Sequence, residues 1–142
     1  MTTIAVRGGV MAADSQCTGE YIGRVCKIHR LPDGTLVGGA GNAAAVYAAV
    51  IWLQSGRQGE APDIEEACLL FLKPDHSIWY ASARWPEFPI TDEYAAIGSG
   101  AVAAQAAMYL GRSAASAVSV ACALDESTSA PIHTLKLPKR AA

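Results

Sequence analysis

Thr2 stands directly behind the initiator methionine. A small residue in that place is normally exposed by methionine removal, which leaves a threonine with a hydroxyl and a free α-amine on one residue. An α-amine titrates near pH ~8, so a sizeable fraction is neutral at physiological pH. It then takes the hydroxyl proton directly or through a water, the terminal-amine form of a nucleophile and its base. Met-Thr also begins many chains whose terminus merely frays. Its meaning depends on whether the rest of the sequence supplies a cation, an oxyanion donor and supports.

Such residues exist, each with a plainer reading beside the chemical one. Asp14 ends the run Val10-Met11-Ala12-Ala13 and precedes Ser15, where a turn residue is equally expected. Lys27 lies in an apolar-polar stretch ending Arg30-Leu31, where a solvated lysine is the default. Gly38-Gly39-Ala40-Gly41 offers backbone N–H groups without side chains in the way, or plain packing glycines. Gly98-Ser99-Gly100 reads as a helix cap or an anion site at a helix start, and it lacks the lysine and spacing of a phosphate loop. His29, His76 and His133 are isolated, with neither triad nor metal spacing. Cys17, Cys26, Cys68 and Cys122 form no CxxC pair or zinc pattern, and Cys17 reads as a small buried hydrophobe. Neither a metal nor an organic cofactor is expected.

Positioning these groups falls to 142 residues, a length that fits one domain, 1–142, with room for a real core. Eleven basic against thirteen acidic side chains leave a net charge of −2, and the pI is about 5.9. A slightly acidic chain is poorly suited to non-specific nucleic-acid binding. At 51% hydrophobic and 17% charged it is not a disordered chain, and its alanine-rich, low-charge makeup hints at contacts between subunits. The longest apolar stretch, Ala43 to Leu53, is too short to cross a membrane. The start lacks a basic segment of the signal-peptide kind, so reduced thiols in a cytoplasm are expected.

The first forty residues read as strands: Thr3–Arg7, a Gly8-Gly9 turn, Val10–Ala13, then a hairpin of Tyr21-Ile22-Gly23 with Val25–Leu31. Pro32-Asp33-Gly34 is a strong turn signal before a buried strand, Thr35–Ala40. A helix is expected over Asn42–Gln54, with Asn42 as cap. Residues 56–62 read as loop, Asp63–Ala67 as a short helical turn, and Cys68–Lys73 and Ser77–Ala81 as strands. Trp85-Pro86-Glu87-Phe88-Pro89 reads as loop, because two prolines break a ladder. Tyr94–Ile97 is a strand, Gly98–Leu110 and Gly111–Leu124 carry helices, and Pro131–Leu137 closes the fold before the basic tail Lys136–Arg140. Strands in hairpins favour antiparallel sheets and an α+β architecture.

Taken in order, these blocks resemble the proteasome β-subunits and the bacterial HslV protease, which are N-terminal-nucleophile hydrolases. The resemblance rests on Thr2-Thr3-Ile4, Ala13-Asp14-Ser15, Lys27, the Gly38-Gly39-Ala40-Gly41 turn into a helix, and Ile97-Gly98-Ser99-Gly100, and it spans nearly the whole chain. It implies a four-layer α-β-β-α sandwich of two antiparallel sheets. It also implies a threonine endopeptidase in which Thr2 is nucleophile and Lys27 the cation that lowers its pKa. Asp14 would hold that lysine, Gly38 would give the oxyanion amide, and Ser99 would bond near the terminal amine. Asp125 with Thr128 matches a late pair that orients the amine. The resemblance further implies a homo-oligomeric ring acting on peptides or unfolded proteins, with an ATPase unfoldase as partner. The chain departs from the family in lacking a long second helix between Gln54 and Cys68, and in carrying Cys26 where HslV has a second lysine. Two other functions fit the same residues: an inert assembly protein, and an amidohydrolase acting on a small amide.

Overall fold

Gly8 and Gly9 adopt φ of +60° and +75°. They fold the first apolar run into a hairpin of β1 (Thr3–Arg7) and β2 (Val10–Ala13) in the computed structural model of the chain. The structure describes residues 2–18 and 23–139. β10 (Tyr94–Gly98) pairs with the free side of β1, and β11 (His133–Lys136) with that of β2, giving an antiparallel sheet in the order β10-β1-β2-β11. A second antiparallel sheet runs β5-β6-β7-β8-β9, from β5 (Ile28–Arg30), β6 (Leu36–Gly41), β7 (Ala67–Leu72), β8 (Ile78–Ser82) and β9 (Phe88–Ile90). Among the described residues, β3 (Gln16–Cys17) and β4 (Gly23–Arg24) form a separate two-stranded pair.

Strand alternation decides how these sheets stack. Ile4, Val6, Met11 and Ala13 point from the first sheet towards Ile28, Leu36, Leu70 and Leu72 of the second, and together they make the central core. Each large aliphatic side chain fully buried there contributes about 1.5–3 kcal/mol. The intervening Ala5, Ala12 and Ala96 point the other way, onto Ala104, Ala107, Met108, Ala117 and Val118 of α2 (Ala101–Tyr109) and α3 (Ala114–Leu124). Alanine against alanine lets these helices lie close on the sheet. On the opposite outer face α1 (Ala43–Gln54) packs Ala49, Val50 and Leu53 onto Val37, Leu69 and Phe71. The result is α+β, a four-layer α-β-β-α sandwich. Asn42 caps α1 by accepting from the Ala45 N–H at 2.9 Å, as its sequence position requires.

Several boundaries differ from the sequence reading. Phe88–Ile90 is a strand rather than loop, because β9 is the edge of its sheet, where Pro89 forfeits no ladder bond on the outer side. Asp63–Ala67 forms no helix: the Ala67 N–H bonds the Ile64 carbonyl at 2.9 Å in a single turn, and Ala67 already starts β7. The expected strand Val25–Leu31 shortens to β5, since Val25 bonds Ser15 instead. Pro131 cannot donate to a ladder, and the last strand begins at His133. Tyr21, Ile22, Met1 and Arg140 lie outside the described residues.

Between Gln54 and Ala67 the described chain forms no helix. Trp52 and Trp85 meet there with ring centres 4.8 Å apart, and the Arg57 guanidinium lies over both rings. Arg57 in turn binds the buried carboxylate of Glu87, which Lys73 approaches to 3.7 Å. Aromatic and ionic contacts thus close an outer face that a second helix could have covered.

Candidate active site

Asp14 directly follows β2 and is completely buried. Both carboxylate oxygens are used. Oδ1 accepts from the Thr3 N–H at 3.0 Å and from the Lys27 ammonium at 3.0 Å. Oδ2 accepts from the backbone N–H groups of Gln16 at 3.2 Å and Ser129 at 3.3 Å. The carboxylate therefore fixes the start of β1, the start of β3 and the approach to β11 around one cation.

That cation, Lys27, is 8% exposed, so the reading of a solvated strand lysine does not hold. Its Nζ lies 3.1 Å from Thr2 Oγ1. Burial pushes the Lys27 pKa below its ordinary 10.5, and the hydrogen bond and charge of Asp14 oppose that shift. Thr2 itself is 7% exposed. Hydroxyl, ammonium and carboxylate thus form a line, with a preorganised positive charge beside the only one of the three that could attack a carbonyl. In the sequence as it stands the Thr2 nitrogen is bonded to Met1, so a free amine requires removal of that residue.

The Gly98-Ser99-Gly100 segment presses on the same residue from the other side. A Cβ at Gly98, which sits at φ +98°, would stand 1.9 Å from the Thr2 carbonyl oxygen. One at Gly100 would stand 2.0 Å from Thr3 Oγ1. Only glycine permits this approach. Between them, Ser99 Oγ lies 3.4 Å from the Thr2 carbonyl and donates to Asp125 Oδ2 at 2.5 Å. Thr128 donates to the same oxygen at 2.6 Å, and a hydroxyl has one proton. The 2.8 Å contact between Thr3 and Thr128 must then run from Thr3 to Thr128. The hydrogen bond from Ser99, and then that from Thr128, hold the Asp125 carboxyl below its usual range. This chain of hydroxyls ties the C-terminal end of α3 to the start of β1.

Thr2, Asp14, Lys27, Ser99 and Asp125 are therefore brought together. Gly38 is not. A Cβ on Gly38 would meet Ile4 at 2.8 Å and Ile28 at 3.0 Å, so that position faces the central core. Leu31 N–H bonds Thr35 at 2.8 Å, and His29 pairs with Val37. By antiparallel alternation the amides of Thr35, Val37 and Gly39 face β5, while that of Gly38 faces β7. The β5 ladder ends at Ile28, opposite Gly38. Gly39 lies one residue beyond, and it lines a cavity of about 590 Å³ together with Thr2 and Lys27. Gly39 and Gly41, rather than Gly38, border the cavity that holds Thr2 and Lys27.

His29, which looked isolated in sequence, lines the same cavity. Its spacing of two from Lys27 was the available signal, since alternate strand residues share a face. Burial lowers the His29 pKa and keeps the imidazole neutral at pH 7. Among the described residues no cluster of three or more His, Cys, Asp or Glu could hold a metal ion, and no helix is long and apolar enough to cross a membrane.

No family model matches the chain, and no curated protein matches its sequence. Solved structures do match its fold. Thiobacillus denitrificans BPH in complex with epoxomicin superimposes with a TM-score of 0.70 at 18% identity, over 97% of this chain and 99% of that one. Thiobacillus denitrificans BPH gives 0.66 at 20% identity, over 98% and 99%. HslV from Trypanosoma brucei gives 0.67 at 19% identity, over 95% and 98%. The chain shares the fold of these proteins over nearly its whole length.

Proposed function

We propose that the chain, built on the fold of HslV, is a threonine-type peptidase whose nucleophile is Thr2 after loss of Met1. The observation that carries the reading is the buried Lys27 ammonium bridging the Asp14 carboxylate and the Thr2 hydroxyl at 3.0 and 3.1 Å.

In this mechanism the freed α-amine of Thr2 accepts the Oγ1 proton as the oxygen attacks the peptide carbonyl carbon. Lys27 favours the developing alkoxide by its charge, which acts strongly because water is excluded. The carbonyl oxygen becomes an oxyanion that accepts from the Gly39 N–H. The protonated amine then gives its proton to the departing peptide nitrogen, and the C–N bond breaks. An ester between Thr2 Oγ1 and the acyl fragment remains. The amine next takes a proton from water, the hydroxide attacks the ester, and the proton returns to Oγ1 as the acid leaves. Asp14 positions Lys27. Ser99 and Asp125 hold the backbone of Thr2 so that its amine and hydroxyl stay in register.

The reading extends to one N-terminal-nucleophile domain over residues 1–142 acting within a homo-oligomeric ring. In support, α1 and α2 carry apolar side chains on their solvent side as well, among them Tyr47, Ile51, Val102 and Tyr109. A helix apolar all round is normally covered. The substrates would be peptides or unfolded protein, in the cytoplasm. The chain has no ATP-binding motif, so any ATP dependence would belong to an unfoldase partner.

The test is hydrolysis of fluorogenic peptides by the Met1-processed protein. Thr2→Ala is expected to abolish turnover while leaving fold and assembly unchanged. Wild-type rates in that variant would refute the assignment. Epoxomicin, the ligand in the BPH complex, is expected to bind the wild type and to be lost from Thr2→Ala.

A further inference from the structure

We propose that the peptide segment on the leaving side of the cleaved bond joins the fold as an added strand along the free edge of β10. This rests on the peptidase reading and extends it to how that site holds the far half of its substrate.

Thr2 borders a second cavity, of about 560 Å³, with Gly98 and Ser99 in its wall. The amine that gives its proton to the departing nitrogen belongs to the Thr2 backbone, on which Gly98 and Ser99 press. The departing segment therefore leaves past them. Gly98 and Cys68 also border a third cavity, of about 350 Å³, so the two spaces form one path. That path follows β10 back from Gly98 to Tyr94 and reaches Asp92. Among the described residues β10 has one strand neighbour, β1, and its other edge is unpaired. The Thr3 carbonyl accepts from the Asp14 N–H at 3.2 Å, so Thr3 and Ala5 bond towards β2, and Ile4 and Val6 towards β10. Ile97 and Ala95, opposite Ile4 and Val6, bond back to β1. Tyr94 and Ala96 are thus left with N–H and C=O aimed into the groove. Tyr80 and Ile90 wall it on the central-core side, Ala101 and Gln105 on the α2 side. An open edge with room on both faces is what an extended peptide uses when it adds to a sheet. The segment starts at Thr2 and runs towards Tyr94, against the direction of β10, so the pairing is antiparallel. The five residues of β10 extend over about 14 Å, which takes four to five peptide residues at ~3.4 Å each.

The experiment is a series of internally quenched peptides with one acyl side and leaving segments of one, three and five residues, read as kcat/KM. The five-residue segment is expected to exceed the one-residue segment by about tenfold or more, since several hydrogen bonds accumulate along the edge. N-methylation of the five-residue segment, one position at a time, is expected to lower kcat/KM about fivefold at alternate positions only, because every second N–H faces β10. A photoreactive diazirine on the fifth leaving-side residue locates the segment, using the Thr2→Ala protein so that the peptide stays intact. The adduct is expected on Tyr80, Ile90 or Tyr94 when mapped by mass spectrometry. The inference is overturned if segment length changes nothing in a protein that an electrophile still labels at Thr2. It is equally overturned by N-methyl penalties without alternation, or by an adduct that is absent or falls beside Val25 and Tyr47 on the acyl side. Absence of both hydrolysis and Thr2 labelling would refute the peptidase reading itself, and this inference with it.

Discussion

Lys27 is the residue on which most of the proposed chemistry turns, because it is buried beside the Asp14 carboxylate and within hydrogen-bond reach of the Thr2 hydroxyl. Lys27→Ala is expected to lower kcat/KM about 10²-fold or more, as loss of an electrostatic element does, in peptide assays on the folded variant. The same substitution leaves Asp14 buried without its ion, and chemical denaturation should register a loss of about 3–5 kcal/mol. The pH profile follows from two groups. The α-amine must be neutral to act as base, so activity should rise through pH ~8. Lys27 must stay charged, and burial has lowered its pKa, so activity should fall again below the 10.5 of an ordinary lysine. A profile with no alkaline limb would mean that the Lys27 charge is not used. His29 bears on stability instead. Its folded pKa lies below 6.5, so the unfolded chain binds the proton more readily in acid. Stability should therefore be full above about pH 6.5 and decline as pH falls towards the folded pKa. That part of the slope should vanish in His29→Leu when unfolding is followed by circular dichroism.

At the level of elements, the loop between β10 and α2 and the contacts after α1 make separate predictions. Gly98→Ala puts a methyl group 1.9 Å from a backbone carbonyl that cannot swing away, at φ +98°. The expected cost is about 2 kcal/mol or more, with peptidase activity lost alongside stability, since the same carbonyl belongs to Thr2. Glu87 tests the face that lacks a second helix. Burial alone would raise its pKa, but Arg57 and Lys73 outweigh burial and leave it lowered. Its contribution is present above the ordinary 4.5 and is lost as pH falls through the folded value. Glu87→Gln should flatten that acid limb by about 1 kcal/mol, a modest figure because Arg57 is 42% exposed and screened.

These elements also mark how far the sequence could be read. Pro32-Asp33-Gly34, the Asn42 cap and the alternation of β1 were legible, because turn chemistry and period are local. So was the grouping of Thr2, Asp14 and Lys27, though only from their order along the chain. Which of these glycines borders the cavity was not, since adjacent glycines differ only in which neighbouring strand their amides face, and pairing is a tertiary fact. Nor was β9, where Pro89 is allowed solely because its strand is the last in the sheet.

For the whole molecule, the two helical layers leave apolar side chains facing outwards on opposite sides of the sandwich. Val102 is 81% exposed and Tyr109 79% on one side, and Tyr47 65% on the other. A 14.8 kDa chain of this kind should sediment as a much larger particle at micromolar concentration. Tyr109→Glu with Val102→Lys should shift it towards monomer if that face is covered in the assembly, and an unchanged sedimentation coefficient would remove α2 from the interface. The whole account nevertheless depends on one atom, the Thr2 hydroxyl oxygen. The most direct measurement treats the processed protein with a β-lactone and maps the adduct by peptide mass spectrometry. The account predicts a single acyl ester on a terminal peptide that starts at Thr2, absent after Thr2→Ala. An unmodified Thr2 in a chain shown to have lost Met1, or an adduct confined to Cys17 or Cys26, would contradict it.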